Sequence, residues 1–364
     1  MKQAIIIIIV SFLLIIKFLF NSPKQSNDEL LFFANYAQLF ALVLSIAIAL
    51  LIIYFYDFLE SDILIFLFFA INLLLLMALG IDLLGREEYG STRRIYLTNE
   101  FSIQPSEILK FSILLATALL YKKFYDKQLL LISLLLAIYI IPIILIQLQP
   151  NTSTALLFSA YFTVAIFICG VTYRALFTMF LSMFALLPMV ITFFVAEYQF
   201  GRFSAFANPQ IDPLGLSYIP NLVNNAVNRN GLIGPGTIEK VDSFLFNVLA
   251  ADSDFALAVI IEQLGLIALL LIIIAFIFIL WTGTSIALNS ANRFQFLSTI
   301  LATYIIVIQA MLHIMVNLSL LPTTGTTLPF VSNGSNALLI NFALIGIIIG
   351  TERKNKRRSK LQKF

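Results

Sequence analysis

The stretch QLLLISLLLAIYIIPIILIQL, at residues 128–148, contains no charged side chain. A segment of about 20 apolar residues is long enough for a helix to cross the hydrocarbon core of a membrane. Water does not solvate such a surface, so this part of the chain is a predicted membrane span.

The composition of the whole chain resembles that of this stretch. Of its 364 residues, 60% are hydrophobic and 11% are charged, and the mean hydropathy is +0.99. Soluble domains carry about 25% charged residues, so lipid must solvate most of this chain. Cys169 and His313 are its only cysteine and histidine. An internal disulfide is therefore excluded, and a zinc site of the usual kind has almost no ligands.

Apolar runs predict the fold class, which is an all-α integral membrane protein. We expect a polytopic bundle of about ten transmembrane helices that forms a single domain over residues 1–364. The runs cover residues 4–20, 31–56, 63–84, 106–121, 128–148, 153–169, 175–196, 255–281, 294–320 and 328–350.

The placement of basic residues predicts the orientation. Cytoplasmic segments of membrane proteins carry an excess of Lys and Arg. If the N-terminus is cytoplasmic, thirteen of the 22 Lys and Arg fall on inner segments, seven of them in the basic tail at 351–364. Both termini are then cytoplasmic, and the long loop at 198–253, between spans 7 and 8, is outside. We interpret the tail as an anchor on anionic lipid and expect no nucleic-acid partner.

Ionisable groups within spans are functional candidates, because each costs about 2.5–3.5 kcal/mol to insert. Asp82, Glu107, Lys110 and Glu262 are of this kind. Glu107 and Lys110 are three residues apart and share one helix face. They form either a self-neutralising ion pair or a cation that meets an anionic headgroup and is aimed by the carboxylate. For Glu262 we favour a hydrogen bond to a neighbouring helix.

The segment Ala-Asp-Ser-Asp-Phe at 251–255 opens the eighth span at its outer end. Asp252, Ser253 and Asp254 are all good helix N-caps. Alternatively, Asp254 is a general base at the membrane surface. A carboxylate that caps a helix is held ionised and is a weaker base, so we expect Asp252 or Ser253 to cap while Asp254 faces the site.

The loop at 321–330 offers four threonine hydroxyls and no charge. It can bind sugar hydroxyls or phosphate oxygens, or its threonines can satisfy backbone groups near lipid. In the span before it, His313 and Asn317 lie one turn apart, and we interpret them as helix–helix hydrogen-bonding groups.

Four segments, in order along the chain, resemble the SEDS (shape, elongation, division and sporulation) glycosyltransferases. They are Ile-Gln-Pro-Ser-Glu-Ile-Leu-Lys at 103–110; Asn-Pro-Gln-Ile-Asp-Pro-Leu-Gly at 208–215 with Asn-Gly-Leu-Ile-Gly-Pro-Gly at 230–236; Asp-Phe at 254–255 with Glu-Gln-Leu-Gly at 262–265; and Leu-Leu-Pro-Thr-Thr-Gly at 320–325 with Leu-Pro-Phe-Val-Ser at 328–332. The segment at 208–215 favours a RodA-like over an FtsW-like member.

The chain departs from the family pattern at three places. Asn151 stands where the family usually has Asp, and Asp252 stands where His is common. The last motif reads Ser-Asn-Gly-Ser-Asn at 332–336, with Asn333 and Asn336, where the family has Tyr-Gly-Gly-Ser-Ser. These departures bear on the details of substrate contact.

The resemblance implies an enzyme of the bacterial cytoplasmic membrane that joins two lipid II molecules on the outer face. A sugar hydroxyl of one attacks the anomeric carbon of the other and displaces undecaprenyl diphosphate with inversion. Such a step needs a base for the hydroxyl and positive charge for the diphosphate. The resemblance assigns the base to Asp254 and the catalytic pair to Glu107 and Lys110. It assigns substrate binding to Arg202, Arg93, Thr323, Thr324 and Ser332.

The resemblance requires no cofactor and no metal ligands, although a divalent metal ion could assist the diphosphate. It implies a class B penicillin-binding protein, a transpeptidase, as partner. Small residues permit the close approach of a partner helix, and on spans 8 and 9 we expect few contact points beyond Gly265, Ser298 and Ala302. A lipid-linked sugar flippase that couples through Glu107, Lys110 and Asp82 is the alternative function, and an inactive scaffold is a third.

Overall fold

The computed structural model describes residues 2–20, 28–80, 93–96, 102–170 and 253–361, with short pieces at 201, 204–208, 210, 217–218, 221, 224–225 and 231–234. The chain forms two compact units. The first consists of Met1–Ala47, Glu197–Thr282 and Ile306–Asn341. The second consists of Ile48–Ala196, Gly283–Ile305 and Phe342–Phe364.

The described part of the chain is almost wholly helical. A 3₁₀ turn at Tyr56–Glu60 precedes α3, and a two-stranded antiparallel ladder, β1 Ile95–Tyr96 with β2 Ser102–Ile103, precedes α4. The helices are α1 Lys2–Phe20, α2 Asp28–Tyr54, α3 Asp62–Gly80, α4 Pro105–Phe124, α5 Gln128–Leu148, α6 Thr152–Ile168, α7 Ala256–Leu264, α8 Leu266–Leu288, α9 Arg293–Asn317 and α10 Ser335–Leu361.

These helices confirm the predicted all-α membrane class. Within the described residues, six helices are long and apolar enough to cross a membrane, namely α1, α3, α5, α8, α9 and α10. Nine of the ten predicted runs fall on described helices. The seventh run, Asp82 and most of the 198–253 loop lie outside the described residues. The count of ten spans and the place of that loop therefore stay predictions.

The structure changes the limits of two predicted spans. The eighth is two helices, because Gly265 ends α7 with a φ of +75° that residues other than glycine rarely adopt. The tenth begins at Ser335 and not at residue 328, since the preceding residues belong to the loop. The helix α10 then continues to Leu361 through most of the basic tail.

In the second unit, α4 is the buried helix. Fourteen of its 20 residues are buried, Lys110 among them, whereas α3 and α5 expose large apolar side chains such as Ile63 and Leu129. A helix that is apolar on all faces is an interior helix, and the exposed side chains of its neighbours then face lipid. The ion pair of α4 consequently lies inside the unit.

Glu60 joins four segments of the same unit. Its carboxylate accepts hydrogen bonds from Gln295 Nε2 at 3.0 Å, Lys354 Nζ at 3.1 Å and Asn292 Nδ2 at 3.4 Å. Lys122 lies 3.8 Å away. Burial acts to raise the pKa of Glu60, but the hydrogen bonds from Gln295 and Lys354 and the charge of Lys354 lower the pKa below its ordinary value of 4.5.

Replacing Glu60 by Gln should therefore destabilise the protein by about 1–2 kcal/mol at pH 7, because bonds to a charged acceptor become bonds to a neutral one. The folded state favours the ionised carboxylate. Its contribution is complete above pH 4.5 and is lost as the pH falls through the lowered pKa. Thermal unfolding in detergent should show the difference between wild type and variant at pH 7 and none well below pH 4.5.

Asp62→Asn is the matched control. This carboxylate pairs with Lys123 at 2.6 Å, but both side chains are nearly half exposed. Exposed pairs contribute little, so we expect almost no change in stability. An equal loss in both variants at every pH would contradict a special role for Glu60.

Candidate functional site

Asp254 lies in a turn at residues 253–255, immediately before α7. The amide of Asn317, at the end of α9, bridges this turn and the helix: Nδ2 donates to the carbonyl of Asp254 at 3.1 Å, and Oδ1 accepts from the N–H of Ala258 at 3.1 Å. The N–H of Ala258, in the first turn of α7, has no acceptor within the helix. Asn317 therefore caps α7 from another helix.

This arrangement corrects the predicted division of labour. The N-cap residue of α7 is Phe255, whose side chain makes no capping hydrogen bond. Ser253 precedes the N-cap position, and its carbonyl accepts from the hydroxyl of Ser332, whereas Asp252 lies outside the described residues. Because Asn317 satisfies the helix from outside, the local cap that would weaken Asp254 as a base is not needed.

The carboxylate of Asp254 lies against Gly325, at the exposed tip of the 321–330 loop. A Cβ atom added to Gly325 would be 3.4 Å from Asp254 Oδ2. The Asp254 carboxylate and the threonine loop are far apart along the chain, but they are neighbours at the surface of the first unit.

Three buried polar side chains on one face of α9 hold this arrangement. They follow one another at four-residue spacing, so they lie one above the next. Gln309 Nε2 donates to the carbonyl of Thr327 at 2.9 Å, and His313 Nδ1 donates to the carbonyl of Thr326 at 2.7 Å. Asn317 is the third, and all three are at most 1% exposed. The prediction that Asn317 bonds to a neighbouring helix is confirmed, and His313 bonds to the loop.

The predicted loop residues have different surroundings. Thr323 and Thr324 are half-buried, and Thr324 Oγ1 lies 3.2 Å from Thr326 Oγ1. The hydroxyl of Ser332 donates to the carbonyl of Ser253 at 2.6 Å and accepts from the N–H of Leu328 at 2.8 Å. Its proton is therefore used to attach the loop beside Asp254, which indicates positioning. A direct contact of these residues with substrate stays a prediction.

A short segment at 231–234 packs against the break between α7 and α8. The carbonyls of Gly231 and Leu232 accept from the first two N–H groups of α8, at 3.2 and 3.1 Å. A Cβ atom at Gly234 would be 2.5 Å from the carbonyl oxygen of Gln263 and 2.6 Å from the nitrogen of Gly265. Position 234 therefore has no room for a side chain. This contact joins two of the sequence motifs directly.

In the second unit, Lys110 Nζ and Glu107 Oε1 are 2.6 Å apart, as the spacing predicted. The side chains are 2% and 14% exposed. Glu107 lies in the first turn of α4, after Pro105, where a helix stabilises negative charge. Its other oxygen, Oε2, is buried and has no hydrogen-bond partner among the described residues. An unsatisfied carboxylate oxygen is costly, which argues against a self-contained structural pair.

Arg93 is in the same unit and contacts the turn between α5 and α6. Its guanidinium donates to the carbonyls of Gln149, at 3.3 Å, and Pro150. Asn151 then caps α6, with Oδ1 accepting from the N–H of Thr154 at 3.3 Å. Asn and Asp are equally good caps, so this departure from the family pattern preserves the helix start. Arg202 lies outside the described residues.

Two further findings concern metal binding and the small residues that were predicted to contact a partner. Among the residues that the structure describes, no three of His, Cys, Asp or Glu lie close enough to hold one metal ion. Assistance by a divalent metal ion stays a prediction. Ser298 and Ala302, offered above as partner contacts, are fully buried within this chain, and Gly265 packs on Gly234. These three small residues are therefore not lipid-facing.

Neither the supporting role of Gln309 nor the partners of Asn317 were predicted from the sequence. The only available signal was the four-residue spacing of polar groups along an apolar span. That spacing shows a shared face but does not show which loop packs on it.

These observations define the class: a polytopic helical membrane protein with a carboxylate and a polar loop at its surface and a buried ion pair in its second unit. Residues 1–357 match the FtsW/RodA/SpoVE family of cell cycle proteins, and the chain belongs to that family.

Two similar proteins are named as peptidoglycan glycosyltransferases. The probable peptidoglycan glycosyltransferase FtsW of Borreliella burgdorferi is 32% identical over 282 residues, which cover 76% of this chain and 75% of the relative. The peptidoglycan glycosyltransferase MrdB of Escherichia coli is 27% identical over 287 residues, covering 79% and 77%. A chain in a solved peptidoglycan synthase complex that coordinates polymerisation and crosslinking has the same fold, with a TM-score of 0.81 and 22% identity over 96% of this chain and 97% of that one.

Proposed function

We propose that this protein is a peptidoglycan glycosyltransferase that polymerises lipid II on the outer face of the bacterial cytoplasmic membrane. The observation that carries the proposal is the placement of Asp254 beside the exposed Gly325, with the helix behind it capped by Asn317. Family membership and the names of the relatives support the same activity.

In the proposed step, the carboxylate of Asp254 accepts the proton of a sugar hydroxyl on one lipid II molecule. The hydroxyl oxygen bonds to the anomeric carbon of a second molecule, and the bond from that carbon to the diphosphate oxygen breaks. Undecaprenyl diphosphate leaves with the bonding electron pair, and the anomeric configuration inverts. A positioned base of this kind contributes roughly 10²–10⁴-fold to the rate.

The role of Lys110 is to oppose the charge of the leaving diphosphate, as the resemblance implies. Its burial supports this, because charge acts more strongly where water is excluded. The unsatisfied oxygen of Glu107 supports a second role, in which the carboxylate accepts a hydrogen bond from substrate.

The orientation with both termini cytoplasmic is part of the proposal. Two groups of contacts in the second unit support it. Segments that carry the inner positive charges, those of Lys122 and Lys354, meet at Glu60. Arg93, from a predicted outer loop, contacts another outer turn at Gln149. A cysteine at position 359 in a Cys169→Ala background should resist labelling from outside intact cells.

The proposed partner is a class B penicillin-binding protein. The similar chain of known structure belongs to a complex that combines polymerisation with crosslinking, which supports this assignment. The functional test is to supply lipid II to the purified chain, alone and with a transpeptidase-inactive partner, and to measure glycan polymer. We expect polymer in the presence of the partner. Transport of lipid II across vesicles without polymer would instead identify a flippase.

Lys110→Met should lower polymerisation by roughly 10²–10³-fold, the usual cost of removing one group that stabilises developing negative charge. The double variant Glu107→Gln with Lys110→Met should stay inactive, because restoring neutrality does not restore the cation. The measurement is the rate of lipid II consumption at saturating substrate, with thermal unfolding as the check on folding.

The control pair is Asp62 with Lys123, which has the same N–O distance of 2.6 Å but is nearly half exposed. Changing it to Asn and Met should leave polymerisation unchanged. Recovery of activity in the Glu107 and Lys110 double variant would show that the pair is only structural, since it then leaves no unpaired buried charge.

A further inference from the structure

A cavity of about 140 Å³ lies in the first unit among α1, α2 and the start of α10. A single water needs about 10–15 Å³, so the cavity has room for a larger polar group. Its polar lining consists of Lys17, Gln38, Asn333 and Ser335. None of these residues belongs to the site described above.

Lys17 is a buried cation on the packed face of α1. It continues the stripe of Ile6, Val10 and Leu13, whose spacing of three and four residues places them on one face, and it is only 3% exposed. Ionisable residues within membrane helices are rare and generally serve a function. A lysine near the end of a span can usually extend to the interface, but this one is buried and lines the cavity.

The start of α10 adds positive potential to the same cavity. Leu338 N donates to Gly334 O at 2.9 Å in the first turn of this 27-residue helix. The N–H groups before Leu338 have no acceptor within the helix, and the dipole concentrates positive charge there. Helix starts bind anions for this reason. Among the residues that the structure describes, none that lines the cavity is a carboxylate.

A chain of hydrogen bonds connects Lys17 to the turn of Asp254. Lys17 Nζ donates to the carbonyl of Ser332 at 3.2 Å, and the hydroxyl of Ser332 donates to the carbonyl of Ser253 at 2.6 Å. An anion that draws the ammonium toward itself would therefore act on the loop that borders Asp254.

We propose that the cavity around Lys17 binds a phosphate group of a lipid-linked diphosphate. The choice of substrate over membrane lipid follows from the connection to Asp254 and rests on the proposed function. The shared chemistry is a lipid phosphate, which an anionic phospholipid also carries. The test must therefore separate the two sources.

The experiment titrates the full chain in detergent with undecaprenyl diphosphate and, separately, with phosphatidylglycerol, and follows the rise in unfolding temperature. We expect undecaprenyl diphosphate to bind, and Lys17→Gln to weaken that binding at least about tenfold, since a charge-assisted bond is lost. Gln38→Glu keeps Lys17 but places a carboxylate in the cavity, and should weaken binding similarly. Lys2→Gln, at the other end of α1, is the control and should bind as wild type does.

Each remaining outcome decides the proposal. If phosphatidylglycerol binds through Lys17 and undecaprenyl diphosphate does not, the substrate assignment is overturned. If Lys17→Gln and Gln38→Glu both bind the diphosphate as wild type does, no anion site exists here. Should Lys17→Gln fail to fold, Gln38→Glu alone decides. If binding depends on Lys17 but the chain forms no polymer with its partner, the site stands and the proposed polymerase function fails.

Discussion

Asp254→Asn should reduce the polymerisation of lipid II by roughly 10²–10⁴-fold, the usual contribution of a positioned general base. Asparagine keeps the size of the side chain but does not accept the proton of the attacking hydroxyl. Two hydrogen bonds that hold this turn use the backbone carbonyls of Ser253 and Asp254, which the change preserves. Folding and lipid II binding should therefore be nearly normal. The measurements are polymer formed with the partner present, lipid II affinity and thermal unfolding.

Two variants make this result specific. Asp252→Asn changes the neighbouring carboxylate and should retain activity; the reverse pattern would show that Asp252 is the base. Asn317→Ala keeps the Asp254 carboxylate but removes the cap of α7 and the bond to the Asp254 carbonyl. It should lower the stability as well as the rate. This combination separates the positioning of the carboxylate from its chemistry.

Gly265→Ala should have the second large effect, a loss of about 3 kcal/mol or more of stability. The conformation at Gly265, with φ at +75°, costs another residue about 1–3 kcal/mol. The new Cβ would also lie 2.7 Å from the carbonyl oxygen of Leu232 and 2.8 Å from the carbonyl carbon of Ile233. Backbone atoms cannot move aside as a flexible side chain does. The 231–234 segment should separate from α7, the helix that follows Asp254, so polymerisation should fall as well.

Gly170 provides a matched control for the strain. It has a φ of +81°, but a Cβ there would meet no atom of the described residues within 4 Å. Gly170→Ala should therefore cost about 1–2 kcal/mol, from conformation alone. At Gly80, φ is not positive and a Cβ would meet no described residue within 4 Å, so Gly80→Ala should be close to neutral. Equal unfolding temperatures for the Gly265 and Gly170 variants would show that the backbone contact contributes nothing.

The Glu107 and Lys110 pair shows how far spacing alone can predict a site. Residues three apart on a helix face the same way, so the pair followed from the sequence, and the structure gives it a 2.6 Å contact. The sequence left open whether this pair is self-contained. The structure shows that α4 is buried and that Glu107 Oε2 has no hydrogen-bond partner among the described residues, and both facts depend on neighbouring helices.

The segment at 251–255 shows where the same reasoning fails. Local propensity predicted a cap from Asp252 or Ser253, because both residue types satisfy helix N–H groups. Asn317 supplies the cap instead, from 59 residues further along the chain than Ala258. The N–H groups at the start of a helix can donate to an acceptor from any part of the fold. Local propensity describes only the acceptors that are close in sequence.

The membrane class, the position of most spans, the family and the residues at which chemistry is expected could all be predicted from the amino-acid sequence. Hydrophobicity, charge placement and motifs depend on residues that are close together along the chain, so they can be recognised in the amino-acid sequence. The tertiary structure alone decided the contact of Asp254 with Gly325, the glycine packing at Gly265 and the cavity at Lys17. Each of these depends on which distant segments touch, as with Lys17 and Ser332, which are 315 residues apart. Such contacts follow from the packing of the whole chain and not from any local pattern.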